Sequence, residues 1–199
     1  IDSAMIELDG TQNKQNLGAN AILAVSQAVA KAAAKSSVLP TFLYLRQFIK
    51  NDVVKKIPTP LFNLIEGGSH GSKTLNFQEF LLIPASSKSY KEALLLGVSV
   101  YKTLKDILYD RSENTLVADE GGFSPGLQTN QAGLLLLKES IEKSGGSFSL
   151  DAFFGLDVAA NFFLDGKIYK LIDRATSYTT DDLVDFYQSL LTEFALIYI

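Results

Sequence analysis

The chain has 199 residues, of which 47% are hydrophobic and 20% charged, and its formal net charge is -4; this is the composition of an ordinary globular protein, with room for one large domain or one domain and part of another. An acidic surface repels nucleic-acid phosphates and anionic lipid headgroups, so we expect neither nucleic acid nor a membrane as a partner. The chain has no cysteine, which excludes disulfides, thiolate metal sites and cysteine nucleophiles.

The first part of the chain is predicted to contain a turn and two helices and to end in a linker. The sequence LDGT at residues 8–11 is typical of a tight turn, and the alanine-rich stretch Asn20–Ala34 predicts a helix. Pro40 separates this helix from a short second helix, which is expected to begin at Thr41. Lys50–Lys56 is polar and charged and is the predicted linker.

The sequence contains no targeting signal that we recognise. No segment reaches the roughly 20 apolar residues that a transmembrane helix needs, and no basic start followed by an apolar run marks a signal peptide. We therefore expect a cytoplasmic protein. The first residue is Ile1 rather than methionine, so we expect the sequence to be a piece of a longer one.

From Ile57 onward, short apolar segments alternate with longer amphipathic ones. Short runs rich in bulky residues predict buried strands, at Ile57–Ile65, Phe77–Ile83, Phe153–Val158 and Ala195–Ile199. Apolar residues at helical spacing and capping residues predict helices, at Tyr90–Tyr109, Thr129–Lys143 and from residues 180–182 to Phe194. A small hairpin arm is predicted at Lys167–Leu171. This order indicates an α/β sheet whose later strands are parallel.

Four polar sites interrupt these apolar or glycine-rich surroundings. His70, the only histidine, lies among three glycines in a loop that can bring an imidazole onto a ligand. Gln78 and Glu79 lie within a predicted strand, and Glu120 lies in a glycine-rich turn. Asp157 ends a predicted strand, where α/β sheets hold their ligand groups.

Each site also has a simpler interpretation. His70 can be an incidental residue of a solvated loop, and Glu79 can face water from an edge strand. Glu120 can lie on a surface turn, and Asp157 can cap the loop that follows it. Several carboxylates, one histidine and no thiols favour oxygen-ligated Mg²⁺ over zinc, but spacing alone leads no further.

Five sequence motifs resemble those of the enolase family in their order and spacing. They are LDGTxNKxxLGANAIL from Leu8, GGSH at 67–70, QEF at 78–80, DEGGF at 119–123 and GLDVAA at 155–160. Five motifs in one order, unlike a single short motif, are specific to a family. One departure is Glu66, which adds a negative charge beside the glycine-rich loop at a position where the family has asparagine.

The resemblance implies a partial enolase-type (β/α) barrel with a ββαα start, preceded by the helical end of a small α+β N-terminal domain. The implied domains are 1–56, which includes the linker, and 57–199, the first half of the barrel. A complete (β/α)₈ barrel takes roughly 250 residues, so we expect this barrel to be incomplete. In the family, Glu-Asp-Pro would follow directly after Ile199.

The resemblance also implies a function, that of phosphopyruvate hydratase, the Mg²⁺-dependent lyase of glycolysis that converts 2-phosphoglycerate reversibly to phosphoenolpyruvate. Glu120 would be the general acid, and Glu79 its neighbouring carboxylate, which also contacts the substrate. His70, on a closing loop, and Gln78 would bind the substrate. Asp157 would be the first of three carboxylate ligands of Mg²⁺.

The family's lysine base and two further magnesium ligands have no counterpart that we recognise in this sequence. We therefore expect the chain by itself to be inactive, and we expect a homodimer for the full-length protein, as is general in the family. The alternative is a non-catalytic enolase-like binding or structural module. Retention of His70, Glu79, Glu120 and Asp157 together favours the enzyme, because a module without chemistry does not need all four.

Overall fold

The computed structural model describes residues 1–49 and 57–199. The chain divides into two compact units, Ile1–Lys56 and Ile57–Ile199. The predicted linker at Lys50–Lys56 lies outside the described residues.

The first unit contains helices, which are α1 (Asp2–Asp9), α2 (Ala19–Ser36) and α3 (Thr41–Arg46). Helices α2 and α3 confirm the two predicted helices, whereas α1 was missed. Gly10 ends α1 in the left-handed conformation, with φ 68°, so the turn signal in LDGT is also a helix end. The buried carboxylate of Asp9 accepts the N–H of Leu17 at 2.7 Å, which ties this turn to the start of α2.

The second unit contains strands and helices in the predicted order, namely β1 (Phe62–Glu66), β2 (Glu79–Pro84), α4 (Tyr90–Asp110), α5 (Asn130–Lys143), β3 (Ala152–Asp157), β4 (Leu164–Asp165), β5 (Ile168–Tyr169), α6 (Thr180–Phe194) and β6 (Leu196–Tyr198). The main sheet has the order β1-β2-β3-β6. β2 is antiparallel to both of its neighbours, and β3 and β6 are parallel. The described strands do not close into a barrel, so this unit is a partial α/β barrel with the predicted ββαα start.

The first strand is shorter than predicted. The expected strand at Ile57–Ile65 begins only at Phe62, because Pro58 and Pro60 have no backbone N–H to donate to a ladder. The prediction was wrong for the first five residues of that range.

The hairpin arm predicted at Lys167–Leu171 is confirmed as β5, which pairs with β4 across a turn at Gly166. One further boundary differs from the prediction. The cap of α6 is Thr179 rather than residues 180–182. Its hydroxyl accepts the Asp182 N–H at 3.2 Å and its own N–H donates to the Asp182 carboxylate at 2.8 Å, which is a capping box.

Helices α4 and α5 cover one face of the sheet. The apolar stripe predicted for α4 is buried at Val100, Leu104 and Leu108, and that of α5 at Leu134, Leu137 and Ile141. They pack with Phe80 of β2 and Phe154 of β3, both fully buried. Each such side chain contributes about 1.5–3 kcal/mol on burial, so this layer stabilises the packing of the two helices on the sheet.

The described helices were predicted not to include a transmembrane segment. None of them combines the length and the apolar character that crossing a bilayer requires.

Candidate active site

Neighbouring strands carry carboxylates at one end of the sheet, where β1 and β3 end and β2 begins. This end is called the strand-end edge. β1 and β3 run in one direction and β2 in the other, so the ends of β1 and β3 meet the beginning of β2 at the same edge. The register pairs Glu66 with Glu79, and Glu79 with Asp157. Barrel enzymes place their chemistry at the carboxyl ends of strands, which makes this edge the candidate site.

Glu120 reaches the same edge on a tight loop, residues 118–122. Phe123 fixes the end of this loop to β1, because its carbonyl accepts the Glu66 N–H at 2.9 Å. Gly121 turns the loop with φ 101°, a left-handed conformation that favours glycine. The predicted glycine-rich turn is therefore anchored on the sheet at its base.

The carboxylate of Glu120 lies between β1 and the glycine-rich loop. Its Oε2 accepts from Nδ2 of Asn63 at 3.4 Å, and its Oε1 lies 3.7 Å from Nδ1 of His70. The Glu120 side chain is 48% exposed and that of His70 is 29% exposed. The acid is thus held by neighbours while remaining open to solvent.

The glycine-rich loop, residues 67–71, is anchored on the start of β2. The Gly67 N–H donates to the Gln78 carbonyl at 2.9 Å, and the Ser69 hydroxyl donates to Oε1 of Gln78 at 3.1 Å. Gln78 is buried, so its side chain supports the loop. Its contact with substrate stays a prediction.

Three of the predicted site residues come together. Carboxylate oxygens of Glu79 and Glu120 and a ring nitrogen of His70 all lie within 4.8 Å of one another. Burial raises the pKa of Glu79 to about 7 from its ordinary value of 4.5. A hydrogen bond with Glu120 and the negative charges of Glu120 and Asp157 act in the same direction, while His70 lowers it. The Glu79 carboxyl is therefore protonated in about half of the molecules at neutral pH.

Two places on this edge offer ligands to a cation. The His70–Glu79–Glu120 cluster brings three possible ligand atoms within 4.8 Å of one another, but an imidazole suits transition metals better than Mg²⁺. Asp157 offers an exposed carboxylate at the end of β3, with Oδ1 accepting the Ala159 N–H at 3.0 Å. Carboxylate oxygens are what Mg²⁺ prefers, so the donor chemistry of Asp157 fits that ion.

Two residues outside the predicted site hold Glu120. Asn63 falls in a segment predicted only as an apolar strand, and its polar side chain within that strand is the available signal. Glu66 was expected beside the loop as an added charge, but it is fully buried. Its Oε1 accepts the Gly122 N–H at 2.6 Å and its Oε2 accepts the Glu120 N–H at 3.3 Å.

A separate cavity of about 470 Å³ lies beside the β4–β5 hairpin. It is lined by Asn76, Phe162, Phe163, Leu164, Asp165, Lys170, Leu171 and Ile172. None of the predicted site residues lines it, so the candidate site is the open strand-end edge and not this cavity.

Comparison with known protein families gives two matches along the chain. Residues 54–199 match the family model described as "Enolase, C-terminal TIM barrel domain". Residues 1–45 match the one described as "Enolase, N-terminal domain".

Proposed function

The chain belongs to the enolase family, and we propose that it supplies the acid side of a phosphopyruvate hydratase site. The reaction would be the reversible dehydration of 2-phosphoglycerate to phosphoenolpyruvate and water. The observation that carries the proposal is the His70–Glu79–Glu120 cluster at the strand ends. Its Glu79 carboxyl, with a pKa of about 7, keeps a proton available near neutral pH, as a reaction that expels hydroxide requires.

Glu120 is the general acid of this proposal. Dehydration removes a proton from the carbon next to the substrate carboxylate and breaks the bond between the neighbouring carbon and its hydroxyl oxygen. The leaving oxygen takes a proton from Glu120 and departs as water. Glu79 shares its proton with Glu120 through their hydrogen bond, and the solvent exposure of Glu120 allows the pair to be reprotonated. A positioned acid contributes roughly 10²–10⁴-fold to such a step.

His70 and Gln78 are assigned to substrate binding. The imidazole of His70 lies beside the acid, at 3.7 Å from Glu120, so it can hydrogen-bond a substrate that reaches the same place. Glycines on both sides allow its loop to close. Gln78 bonds that loop through Ser69, which couples the two residues in one binding element.

Asp157 is assigned to Mg²⁺. Its exposed carboxylate at the end of β3 provides one oxygen-ligand side chain of the several that such a site needs. When bound, the ion would stabilise the negative charge that develops on the substrate carboxylate, the use of Mg²⁺ that the enolase superfamily exemplifies. Asp157 also lies near enough to Glu79 to raise its pKa, which supports one shared site.

We infer that this chain alone does not complete the reaction, since the lysine base and two further magnesium ligands have no assigned counterpart among its residues. The native protein that contains it would act as a homodimer in cytoplasmic glycolysis.

Phosphoenolpyruvate formation, followed by ultraviolet absorbance with excess Mg²⁺, tests the function. The native protein should turn over 2-phosphoglycerate, and the isolated chain should not. Glu120→Gln should lower kcat by roughly 10²–10⁴-fold. Glu193→Gln is the matched control. Glu193 of α6 contacts Gln131 of α5, away from the cluster, so this substitution should leave turnover unchanged. Absence of turnover by the native protein, or full activity of the Glu120 variant, would reject the proposal.

A further inference from the structure

The buried carboxylate of Glu66 binds the loop that carries Glu120. Its two oxygens accept the N–H groups of Gly122 at 2.6 Å and Glu120 at 3.3 Å. A buried carboxylate is costly unless its oxygens accept hydrogen bonds, and hydrogen bonds to a charged acceptor are roughly twice as strong as neutral ones. No salt bridge found within residues 1–49 and 57–199 includes Glu66. Within the described part of the chain, the two loop N–H groups are therefore what compensates its charge.

Glu66 also fills the space between the two loops of the site. A Cβ atom on Gly122 would lie 2.9 Å from Oε1 of Glu66, and one on Gly71 would lie 2.2 Å from its carbonyl oxygen. Neither position has room for a side chain. The 118–122 loop and the 67–71 loop therefore both pack directly against this one residue.

Tyr101 of α4 holds the 118–122 loop by a different group. Its hydroxyl donates to the Gly121 carbonyl at 2.9 Å, and its ring stacks on Phe123 with centroids 4.5 Å apart. Burial, and after it the negative charge of Glu66, raises the pKa of Tyr101, so the hydroxyl keeps the proton that it donates. The loop is thus bound through its N–H groups by Glu66 and through a carbonyl by Tyr101.

We propose that Glu66 and Tyr101 are positioning residues that fix the 118–122 loop and thereby set the placement of Glu120 beside His70. This inference rests on the proposed role of Glu120 as the acid. Neither residue needs to touch the substrate, because each acts through the backbone of the loop. A misplacement of about 1 Å in a reacting group can cost about 10²-fold in rate, so loss of either contact should be measurable.

Two substitutions isolate these contacts. In Glu66→Gln, one oxygen becomes an NH₂ donor that faces a backbone N–H donor, so one of the two hydrogen bonds is lost. Tyr101→Phe keeps the stacked ring and removes only the hydroxyl, which makes it the variant to use if the buried Glu66 change prevents folding. Tyr109→Phe is its matched control, because Tyr109 is an exposed tyrosine of the same helix.

Amide hydrogen exchange of the native protein tests the contacts without any assay of activity. In Glu66→Gln and Tyr101→Phe, the peptide covering residues 117–123 should exchange at least about tenfold faster, while a peptide from α5 and the Tyr109→Phe protein should not change. Unaltered exchange in the 117–123 peptide of both variants would overturn the proposal. This readout decides the contacts even if the native protein forms no phosphoenolpyruvate, which would count against the proposed function alone.

Kinetics then test whether the contacts act through Glu120. Tyr101→Phe and Glu66→Gln should each lower kcat about tenfold with little change in KM, which corresponds to about 1.4 kcal/mol in the transition state. In the Glu120→Gln background, the same substitutions should cause no further loss, because the group they position has been removed. An equal tenfold loss in both backgrounds would show a general structural defect and would overturn the positioning role.

Discussion

The free energy of unfolding of the native sequence should fall as the pH rises, because Glu79 ionises, and replacing Glu79 by glutamine should remove this fall. The folded state raises the pKa of Glu79 from 4.5 to about 7, so below pH 4.5 both states hold the proton and the group costs nothing. As the pH rises from 4.5 to about 7, the unfolded chain releases the proton while the folded chain keeps it. The free energy of unfolding therefore falls. Above about pH 7 the loss is complete. Glutamine does not ionise and removes this dependence.

The size of the effect follows from the width of that window. Each pH unit across which only the folded state holds the proton is worth about 1.4 kcal/mol, so the pKa change from 4.5 to about 7 gives about 3.5 kcal/mol as an upper bound. Glu79 is only partly buried, so water screens the repulsion that it feels from Glu120 and Asp157. We expect Glu79→Gln to be more stable than the native sequence by about 1.5 kcal/mol at pH 8, and nearly equal at pH 4.5.

Urea unfolding at both pH values, in buffer with a chelator, measures the difference. Glu193→Gln serves as the control for removing one carboxylate, and it should differ from the native sequence by the same amount at both pH values. A Glu79→Gln protein that is equally destabilised at both pH values, or whose advantage shrinks as the pH rises, would contradict the shared-proton account of the cluster.

Two further predictions concern the metal site and the loop packing. In the native protein, Asp157→Ala should weaken Mg²⁺ binding in calorimetric titration. Glu120→Gln should leave the metal affinity nearly unchanged and lower kcat. Equal loss of affinity in the two variants would show that Glu120 is wrongly assigned. Gly71→Ala should lower the free energy of unfolding by about 1–3 kcal/mol, because its Cβ would lie 2.2 Å from the Glu66 carbonyl oxygen. Gly126→Ala, whose Cβ would be 3.6 Å from its nearest neighbour, should cost much less in the same urea titration, and an equal cost would refute the packing argument.

The helices and the strand order could be predicted because their signals are local. The apolar stripe of α4 repeats every three or four residues, so the sequence alone shows the helical spacing. The first helix of the chain was missed because it is only 8 residues long, too short for a periodic pattern to stand out. The start of β1 was misplaced because apolar residues around Pro58 and Pro60 imitate a strand that the prolines cannot extend.

The site could be predicted only in part, because its supporting contacts join distant positions. The motifs contain His70, Glu79 and Glu120, and the structure brings these three together. The burial of Glu66 depends on hydrogen bonds to residues 54 and 56 positions later, and no local pattern encodes such a pairing. The same holds for Asn63, which contacts Glu120 from 57 positions away.

The central claim is that Glu120 donates the proton to the leaving hydroxide while another group removes the proton from carbon. Nuclear magnetic resonance of 2-phosphoglycerate in deuterated water, with Mg²⁺ and the native protein, separates the two steps. For Glu120→Gln, the account predicts that deuterium still enters at the carbon next to the carboxylate while phosphoenolpyruvate formation falls by roughly 10²–10⁴-fold. Loss of deuterium incorporation in the same proportion as phosphoenolpyruvate formation would contradict it, because Glu120 would then serve the removal of the carbon-bound proton.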